Sequence, residues 1–546
     1  GGTDARARAE ELSPVSARRW MARPECQPRA WAVALVVVAC SLSCCWGVVE
    51  GARAGAHAKP KWPGGGDRGG PKSSSGRPFN ARAVGDSSRA ELRDKDGRLR
   101  TFRGVNAVEK QGTFAPASTG FDPVRSLSDQ DADILLAYGF NAVRLGVLWN
   151  AHEPVPKQYN ATYLDALAAV VDVLWSRGIY TILDGHQDLF NARYCGEGIP
   201  DWIDAPEGTP AFPHPLPYSI DTLPDGRANL TQCAERRLLD FGEMYFTHAV
   251  GAVFQKLYDY GRESFAAHWG LVGERFAEHP GVLGFELINE PWPADVIADV
   301  PGAVLDPAKW DSGNLWPLLE AGLAAYRESD AHALHFFEQN LLAASTLRRV
   351  GAEGPPGGEQ ERGKSVFSYH LYCGVHGGGK PWPSAKLCEG YGGEIYRSGQ
   401  RSAAGMGVPI AITETGGLVA GQDEGARQAN AALLSDVEAD GSSWFWWSYK
   451  NYDDITTHIG EAESFFYNNG TLKKWGLVRE LARTYAQAVP SAPGTLHQSF
   501  DDLTSEYSLQ YDVDPKIAVP YADIYLSEEL RYKGGVAVSV SPDGAA

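Results

Sequence analysis

Two glutamates each close a short apolar run in this chain. Glu290 lies in Ile288-Asn289-Glu290-Pro291-Trp292 after Val282-Leu283-Gly284-Phe285, and Glu414 follows Val408-Pro409-Ile410-Ala411-Ile412-Thr413, 124 residues later. Short apolar runs of this kind read as buried strands, so both acids stand at strand ends. Hydrolysis of a glycosidic bond needs such a pair: one carboxylic acid protonates the leaving oxygen, and one carboxylate attacks the sugar or activates water. Separations of ~5–5.5 Å go with retention of the anomeric configuration and ~6.5–9.5 Å with inversion. For acids facing each other across a closed barrel the shorter gap is expected, with Glu290 as acid/base and Glu414 as nucleophile.

Other polar residues fall at strand ends too: Arg144, then Asp184-Gly185-His186-Gln187-Asp188, Asn289, His370 with Tyr372, and Trp446-Trp447. Arg144 and Tyr372 would hold Glu414 ionised and oriented. Asn289 would donate to the substrate 2-hydroxyl, His186 and His370 would add hydrogen bonds, and Trp446 or Trp447 would floor the sugar ring. Taken singly, each reads equally well as a structural group: Glu before Pro can simply end a strand, and a buried Arg or His can be a satisfied ion pair. Asp184, His186 and Asp188 share one strand face and imitate a metal cluster, yet no second histidine has ligand spacing to them. No metal and no cofactor is expected.

Eight strand candidates position these residues: 99–105, 141–147, 179–184, 282–288, 333–337, 365–371, 408–413 and 443–448. Helical patterns follow at 127–137, 162–177, 232–258 with 263–278, 313–328, 424–438 and 471–487. The fifth helix, near 339–349, is short, and the sixth is hard to see before Gly405. The alternation predicts an α/β fold, a (β/α)8 TIM barrel with long loops on its C-terminal face at 189–231, 293–311 and 373–403. A doubly wound open sheet is the alternative, weakened by the lack of a glycine-rich loop after the first strand. After Pro490 the segments 505–511, 522–526 and 535–540 predict a small antiparallel β domain, short for a complete sandwich. The expected division is therefore 1–49 as translation artefact plus leader, 50–89 as a disordered Gly/Pro/Ser-rich spacer, 90–489 as barrel and 495–546 as the β domain.

Residues 31–49 are uncharged and apolar, follow Arg18, Arg19, Arg23 and Arg29, and precede a small-residue tract. They predict a signal peptide, with an uncleaved signal anchor as the alternative. The first 89 residues carry 14 Lys and Arg against 7 Asp and Glu, so the overall charge of −18 leaves about −25 on the remainder. So acidic a body argues against nucleic acid or an anionic membrane surface as the main partner. Cys195, Cys233, Cys373 and Cys388 form an even set in the folded part, and proximity favours Cys195 with Cys233 and Cys373 with Cys388. Sequons at Asn160, Asn229 and Asn469 agree with a secreted or lumenal protein. A monomer is expected.

At these residues the chain resembles glycoside hydrolase family 5, retaining (β/α)8 enzymes of the cellulase superfamily, from about Leu99 to Gln487. The resemblance rests on Gly139-Phe140-Asn141-Ala142-Val143-Arg144-Leu145, Asn289-Glu290-Pro291, His370-x-Tyr372, Thr413-Glu414-Thr415-Gly416 and the Trp447 region. It implies Glu290 as acid/base and Glu414 as nucleophile. Within the family the chain is most similar to endoglycoceramidases and related glycosylceramidases, through Arg103-Gly104-Val105-Asn106 with Lys110, Leu183 to Asp188, and Phe285 to Pro291. That resemblance implies cleavage between a β-linked sugar and ceramide, with Lys110 and Asp188 gripping the first sugar and transient membrane or micelle contact. Trp202, Ile203, Phe212, Pro213, Trp292, Trp382 and Tyr391 would line a groove polar at one end and apolar at the other. The alternatives are an exo-acting glucosylceramidase or steryl β-glucosidase, and a β-1,4-endoglucanase.

Overall fold

Eight short strands close into a barrel: β4 (Arg103–Ala107), β5 (Ala142–Gly146), β6 (Tyr180–Asp184), β7 (Val282–Glu286), β8 (Leu334–Phe337), β9 (Ser365–Tyr372), β10 (Ile410–Gly416) and β11 (Ser443–Trp446). Each pairs in parallel with the next, and β11 returns to β4 to complete the ring. The computed structural model describes residues 79–83, 90–238, 241–372, 385–416, 424–454, 456 and 463–541. All eight expected barrel strands are present. The expected first one, 99–105, is two elements, β3 (Leu99–Arg100) and β4, which belong to different sheets.

Side chains alternate across a strand, so residues two apart share a face. Ala142, Ile182, Val366 and Ala411 belong to one apolar cluster together with Leu334, Phe336 and Phe445. Two residues further along, the same face turns polar: Arg144, Asp184, Ser368 and Thr413 are all fully buried. The intervening Val143, Leu145 and Leu183 pack outward with helix residues such as Leu135, Leu164 and Leu167. Apolar below and polar above is thus written into period two. Glu414 departs from it: a register irregularity between Ile412 and Glu414 sets Glu414 opposite His370, and such bulges re-aim a side chain.

The helix Ala161–Trp175 is typical of the outer layer. Asn160 caps it by accepting the Tyr163 N–H, and Leu164, Leu167, Ala168, Val171 and Leu174 bury one face at helical spacing. Gly178, at φ +74°, turns the chain from that helix into β6, a conformation glycine adopts at no steric cost.

Three helical expectations need correction. The span 232–258 is broken into Leu230–Arg236 and His248–Tyr260. Between them Glu243 accepts from Leu238 and Tyr218, Tyr245 accepts the Leu189 N–H, and Thr247 caps a new helix. Those tertiary bonds outweigh local propensity. The span 471–487 is a short turn of helix ending at Leu481, and strand β12 (Tyr485–Val489) replaces its last part. Gly476, at φ −103° and ψ −113°, breaks the helical pattern there. The sixth helix is Ala385–Met406, the longest described, so most of the loop expected at 373–403 is helical. Its five glycines hide it, since each costs about 1 kcal/mol against alanine. Gly399 is needed: a Cβ there would meet Tyr369 and Ile410 at 2.9 Å.

β1 (Phe79–Ala83), β2 (Ala90–Asp94), β3, β12 and β15 (Asp523–Tyr525) form a five-stranded antiparallel sheet, and β13 (His497–Phe500) pairs with β14 (Tyr507–Gln510). The strand expected at 535–540 is absent; Val536, Val538 and Val540 are exposed and bury nothing. The leader and most of the spacer lie outside the described residues. Among the described residues no helix is long and apolar enough to cross a membrane.

Cys195 and Cys233 form a disulfide, whereas the pairing of Cys373 with Cys388 lies outside the described residues. At Asn160, Asn229 and Asn469 the side-chain oxygen accepts a backbone N–H two or three residues on. The nitrogen to which a glycan would be joined is not the capping atom. Closing a loop of sequence separation 38 removes chain entropy worth about 4 kcal/mol. Cys233→Ser should therefore lower the unfolding free energy read from urea denaturation by roughly that amount; an unchanged value would count against it.

Candidate active site

Arg144 projects from β5 into the polar layer and is completely buried. A guanidinium has five N–H donors, and here every one has an acceptor. Nε donates to Glu286 (2.8 Å), Nη1 to Asn106 (3.1 Å) and Glu414 (2.7 Å), and Nη2 to Asp184 (2.9 Å) and Asn289 (2.8 Å). Burial opposes its charge, but Asp184, Glu286 and Glu414 outweigh burial and hold its pKa well above the usual value.

Glu414 receives Arg144 on one oxygen and the Tyr372 hydroxyl on the other, at 2.7 Å. Across the cleft, Glu290 sits at φ +42°, a left-handed conformation uncommon for a residue with a Cβ. Its N–H donates to Glu338 at 3.0 Å, and its Oε1 lies 2.7 Å from His370 Nδ1. The same nitrogen is 3.5 Å from Glu414 Oε2. Carboxylate oxygens of Glu290 and Glu414 come within 4.8 Å of each other, a separation on the retaining side.

A second charged group flanks the pair. His186 bonds Asp184 through Nδ1 at 2.8 Å, faces Asp188 at 3.4 Å, and stacks on Trp447 with ring centroids 5.3 Å apart. Lys110 lies beneath Trp447 and is held by Asp188 (2.6 Å), Asp454 (3.1 Å) and Glu197 (3.2 Å). Against the penalty of burial, Asp184 and Asp188 raise the His186 pKa to about 10. Burial would push Asp188 up, but Lys110 and His186 pull it below the usual carboxylate range. Glu197 rises to about 8, through burial and its neighbours Asp188 and Asp454, against the pull of Lys110.

These groups floor a cleft of about 920 Å³, counting its open mouth. Asp188, His186, Asn289, Glu290, His370, Tyr372, Glu414 and Trp447 line it, whereas Arg144, Asp184 and Lys110 support it from behind. Trp446 does not line it; its indole is buried and donates to the Glu463 carbonyl. Asn289 already spends one amide hydrogen on the Gln187 carbonyl. The loop aromatics are placed differently from expectation. Trp292 is fully buried against Tyr245, Trp202 packs on Trp149, and Phe212 packs on Tyr194. Ile203 is buried as well, so these side chains fix loops to the barrel. Tyr391 does line the cleft, and Leu341, Ala344, Leu347 and Ile395 complete an apolar wall with it. Trp382 lies outside the described residues.

Several site residues were not anticipated: Asn106, Glu286, Glu338 and Gln339 around the acids, and Glu197 and Asp454 around Lys110. Glu338 had a readable signal, because Leu334, Phe336 and residue 338 share one strand face. Glu197 had none. It reaches Lys110 only because residues 188 and 197 pair across the short turn between them. His186, Asp188 and Glu197 stand close enough to suggest a metal site, but the Lys110 ammonium already occupies the space between the two carboxylates.

A closed parallel barrel with two carboxylates at retaining distance over a polar layer defines a retaining glycoside hydrolase. Residues 117–453 match the family Cellulase (glycosyl hydrolase family 5), and the chain belongs to it. It is 32% identical over 457 residues to the endoglycoceramidase of Hydra vulgaris, covering 83% of this chain and 82% of that one. Against the endoglycoceramidase of Cyanea nozakii identity is 31% over 464 residues, covering 83% and 86%. Among solved structures, the lactosyl-enzyme intermediate of endo-glycoceramidase II from Rhodococcus sp. superposes with TM-score 0.59 at 22% identity, covering 80% and 90%.

Replacing Arg144 by Met would strand three buried carboxylates. Breaking a buried pair in this way costs about 3–5 kcal/mol, which urea unfolding should read together with lost turnover; near-native stability would contradict the hub. The histidines set a pH limit. His186 and His370 are raised to about 10 from about 6.5 in an unfolded chain. Their stabilisation is complete below the unfolded value and is lost as pH climbs through the folded one. The depressed Asp188 acts oppositely, stabilising above about 3.9 and losing that effect in acid. Melting temperature should be highest below about pH 6.5 and fall between about pH 6.5 and 10; a flat profile across that range would show the histidines uncharged.

Proposed function

We propose that the enzyme hydrolyses the β-glycosidic bond joining sugar to ceramide in glycosphingolipids, by double displacement. Glu414 attacks the anomeric carbon while Glu290 gives its proton to the departing glycosidic oxygen, which leaves as the ceramide hydroxyl. A water then attacks the glycosyl-Glu414 ester, Glu290 takes the water's proton, and the sugar leaves with its configuration retained. Arg144 and Tyr372 favour the ionised Glu414 that the first step needs and the second restores. Trp447 presents its indole face to the sugar ring, and Asp188 accepts from its hydroxyls, held ionised by Lys110.

The observation that carries the reading is the juxtaposition of the two glutamates with the apolar wall of Leu341, Ala344, Leu347, Tyr391 and Ile395. A cleft polar on one side of the scissile bond and apolar on the other matches an amphiphile. A cellulosic chain, polar on both sides, has no use for such a wall. The names of the Hydra and Cyanea relatives point to the same bond. The lipid would enter from a membrane or micelle; the apolar stretch 31–49 and the three sequons support a secreted or lumenal enzyme, acting as a monomer in this reading.

Glu414→Gln should fold as the wild type yet lose turnover, and purified mutant with wild-type rates would refute the nucleophile. The wild type should release intact oligosaccharide from a glycosphingolipid. Terminal glucose alone would indicate exo action on a glucosylceramide or steryl glucoside, and activity confined to soluble β-glucans would remove the lipid from the account.

A further inference from the structure

The site holds a third acid that the double displacement leaves unused. Glu338 stands one residue past β8, is 7% exposed and lines the same cleft. It touches the machinery twice. Oε1 accepts the Glu290 N–H at 3.0 Å, fixing the left-handed peptide that carries the acid/base, and the same oxygen faces His370 Nε2 at 3.6 Å. That ring nitrogen is buried and makes no hydrogen bond among the described residues. The other nitrogen, Nδ1, is 2.7 Å from Glu290 Oε1. His370 is thus clamped between two carboxylates, one at each nitrogen.

We propose that Glu338 is a positioning residue for the acid/base: it keeps both nitrogens of His370 protonated, so that Nδ1–H occupies Glu290 Oε1. The proton Glu290 delivers must then reside on Oε2, the oxygen left for the glycosidic bond. This rests on the assignment of Glu290 as acid/base. A neutral imidazole with its lone pair on Nδ1 would instead accept that proton and compete with the leaving group for it.

The surrounding charges agree. The groups facing Glu338 are Glu286, Glu290, His370 and Arg144, and Glu414 faces His370 from β10. Burial opposes a charged His370, but Glu338, Glu414 and Glu290 overcome it and raise its pKa to about 10. Burial, with Glu286 and Glu290, also raises the Glu338 pKa against the pull of His370. Both directions mean that the His370 and Glu338 pair retains a shared proton well into alkaline solution.

Glu338→Gln keeps an oxygen for the Glu290 N–H and removes the charge. The loss of an anion beside Nε2 lets His370 give up its second proton at lower pH. The alkaline limb of kcat/KM on the glycolipid should move down by about one pH unit. Above the wild-type limb the loss on the glycolipid should exceed that on a dinitrophenyl β-glycoside, whose leaving group needs no proton, by about ten-fold. An unmoved limb, or equal losses on both substrates, would overturn the proposal. Glu290→Ala run on the same two substrates separates the two claims. If it lacks the leaving-group split, the acid/base assignment fails and this inference with it; if it has the split and Glu338→Gln does not, only the inference fails. Should Glu338→Gln not fold, ring ¹⁵N shifts of histidine-labelled wild type decide: imidazolium at His370 at pH 7 supports the proposal, and a neutral ring overturns it.

Discussion

Arg144 makes five hydrogen bonds, and the acceptors come from four separate stretches of chain, around residues 106, 184, 286–289 and 414. Taking one cation and three carboxylates out of water costs several kcal/mol per ion unless every lone pair is met. The barrel meets them because it brings strand ends from all around the ring to one axis. The arrangement is fully connected, and fully connected polar networks inside proteins are rigid. Glu414 inherits that rigidity, and so does Asn289, which precedes the opposing acid. Preorganised donors around a nucleophile need no rearrangement when charge moves, which is where most electrostatic catalysis originates.

From this hub the site extends by two different means. On one side, His186 carries the network from Asp184 to Asp188 and Lys110, and Trp447 stacks on the imidazole and covers the ammonium. Here charge is balanced by charge, with little room for water. On the other side, His370 and Glu338 carry it toward an apolar wall, and among the described residues no arginine or lysine forms an ion pair with either. In the proposed mechanism the sugar-facing half is therefore ionic and stiff, whereas the half toward the leaving group is governed by a shared proton. That asymmetry matches the chemistry, since only the leaving-group side must give and take a proton.

Much of this was legible in the residues. Short apolar runs alternating with helical patterns revealed all eight barrel strands, and the two glutamates stood at the ends of two of them. What sequence could not supply was anything set by contact across the ring or by a bulge. Glu414 aims inward because the ladder slips between Ile412 and Glu414, and no propensity announces that slip. Glu197 and Asp454 reach Lys110 from loops, far from any strand signal. The sixth helix stayed hidden behind glycines whose reason, as at Gly399, is tight packing on Tyr369 and Ile410. The large aromatics misled in the opposite sense: Trp202, Phe212 and Trp292 look suited to a binding groove but hold the loops down. The groove's own wall is made of Leu, Ala, Ile and a single Tyr.

The outer sheet links segments that lie far apart in the chain. Leu99 and Arg100 pair with Ala488 and Val489, Tyr485 and Ala486 with Tyr525 and Ile524, and β4 meets β11 across some 340 residues. While the polypeptide is still emerging from the ribosome, β4 has no partner on one flank until residue 446 is out, and β3 none on one side until residue 489. Barrel and sheet are therefore finished only once residues 446, 489 and 525 have emerged, and until then a nascent chain must keep two unpaired strand edges from sticking to others.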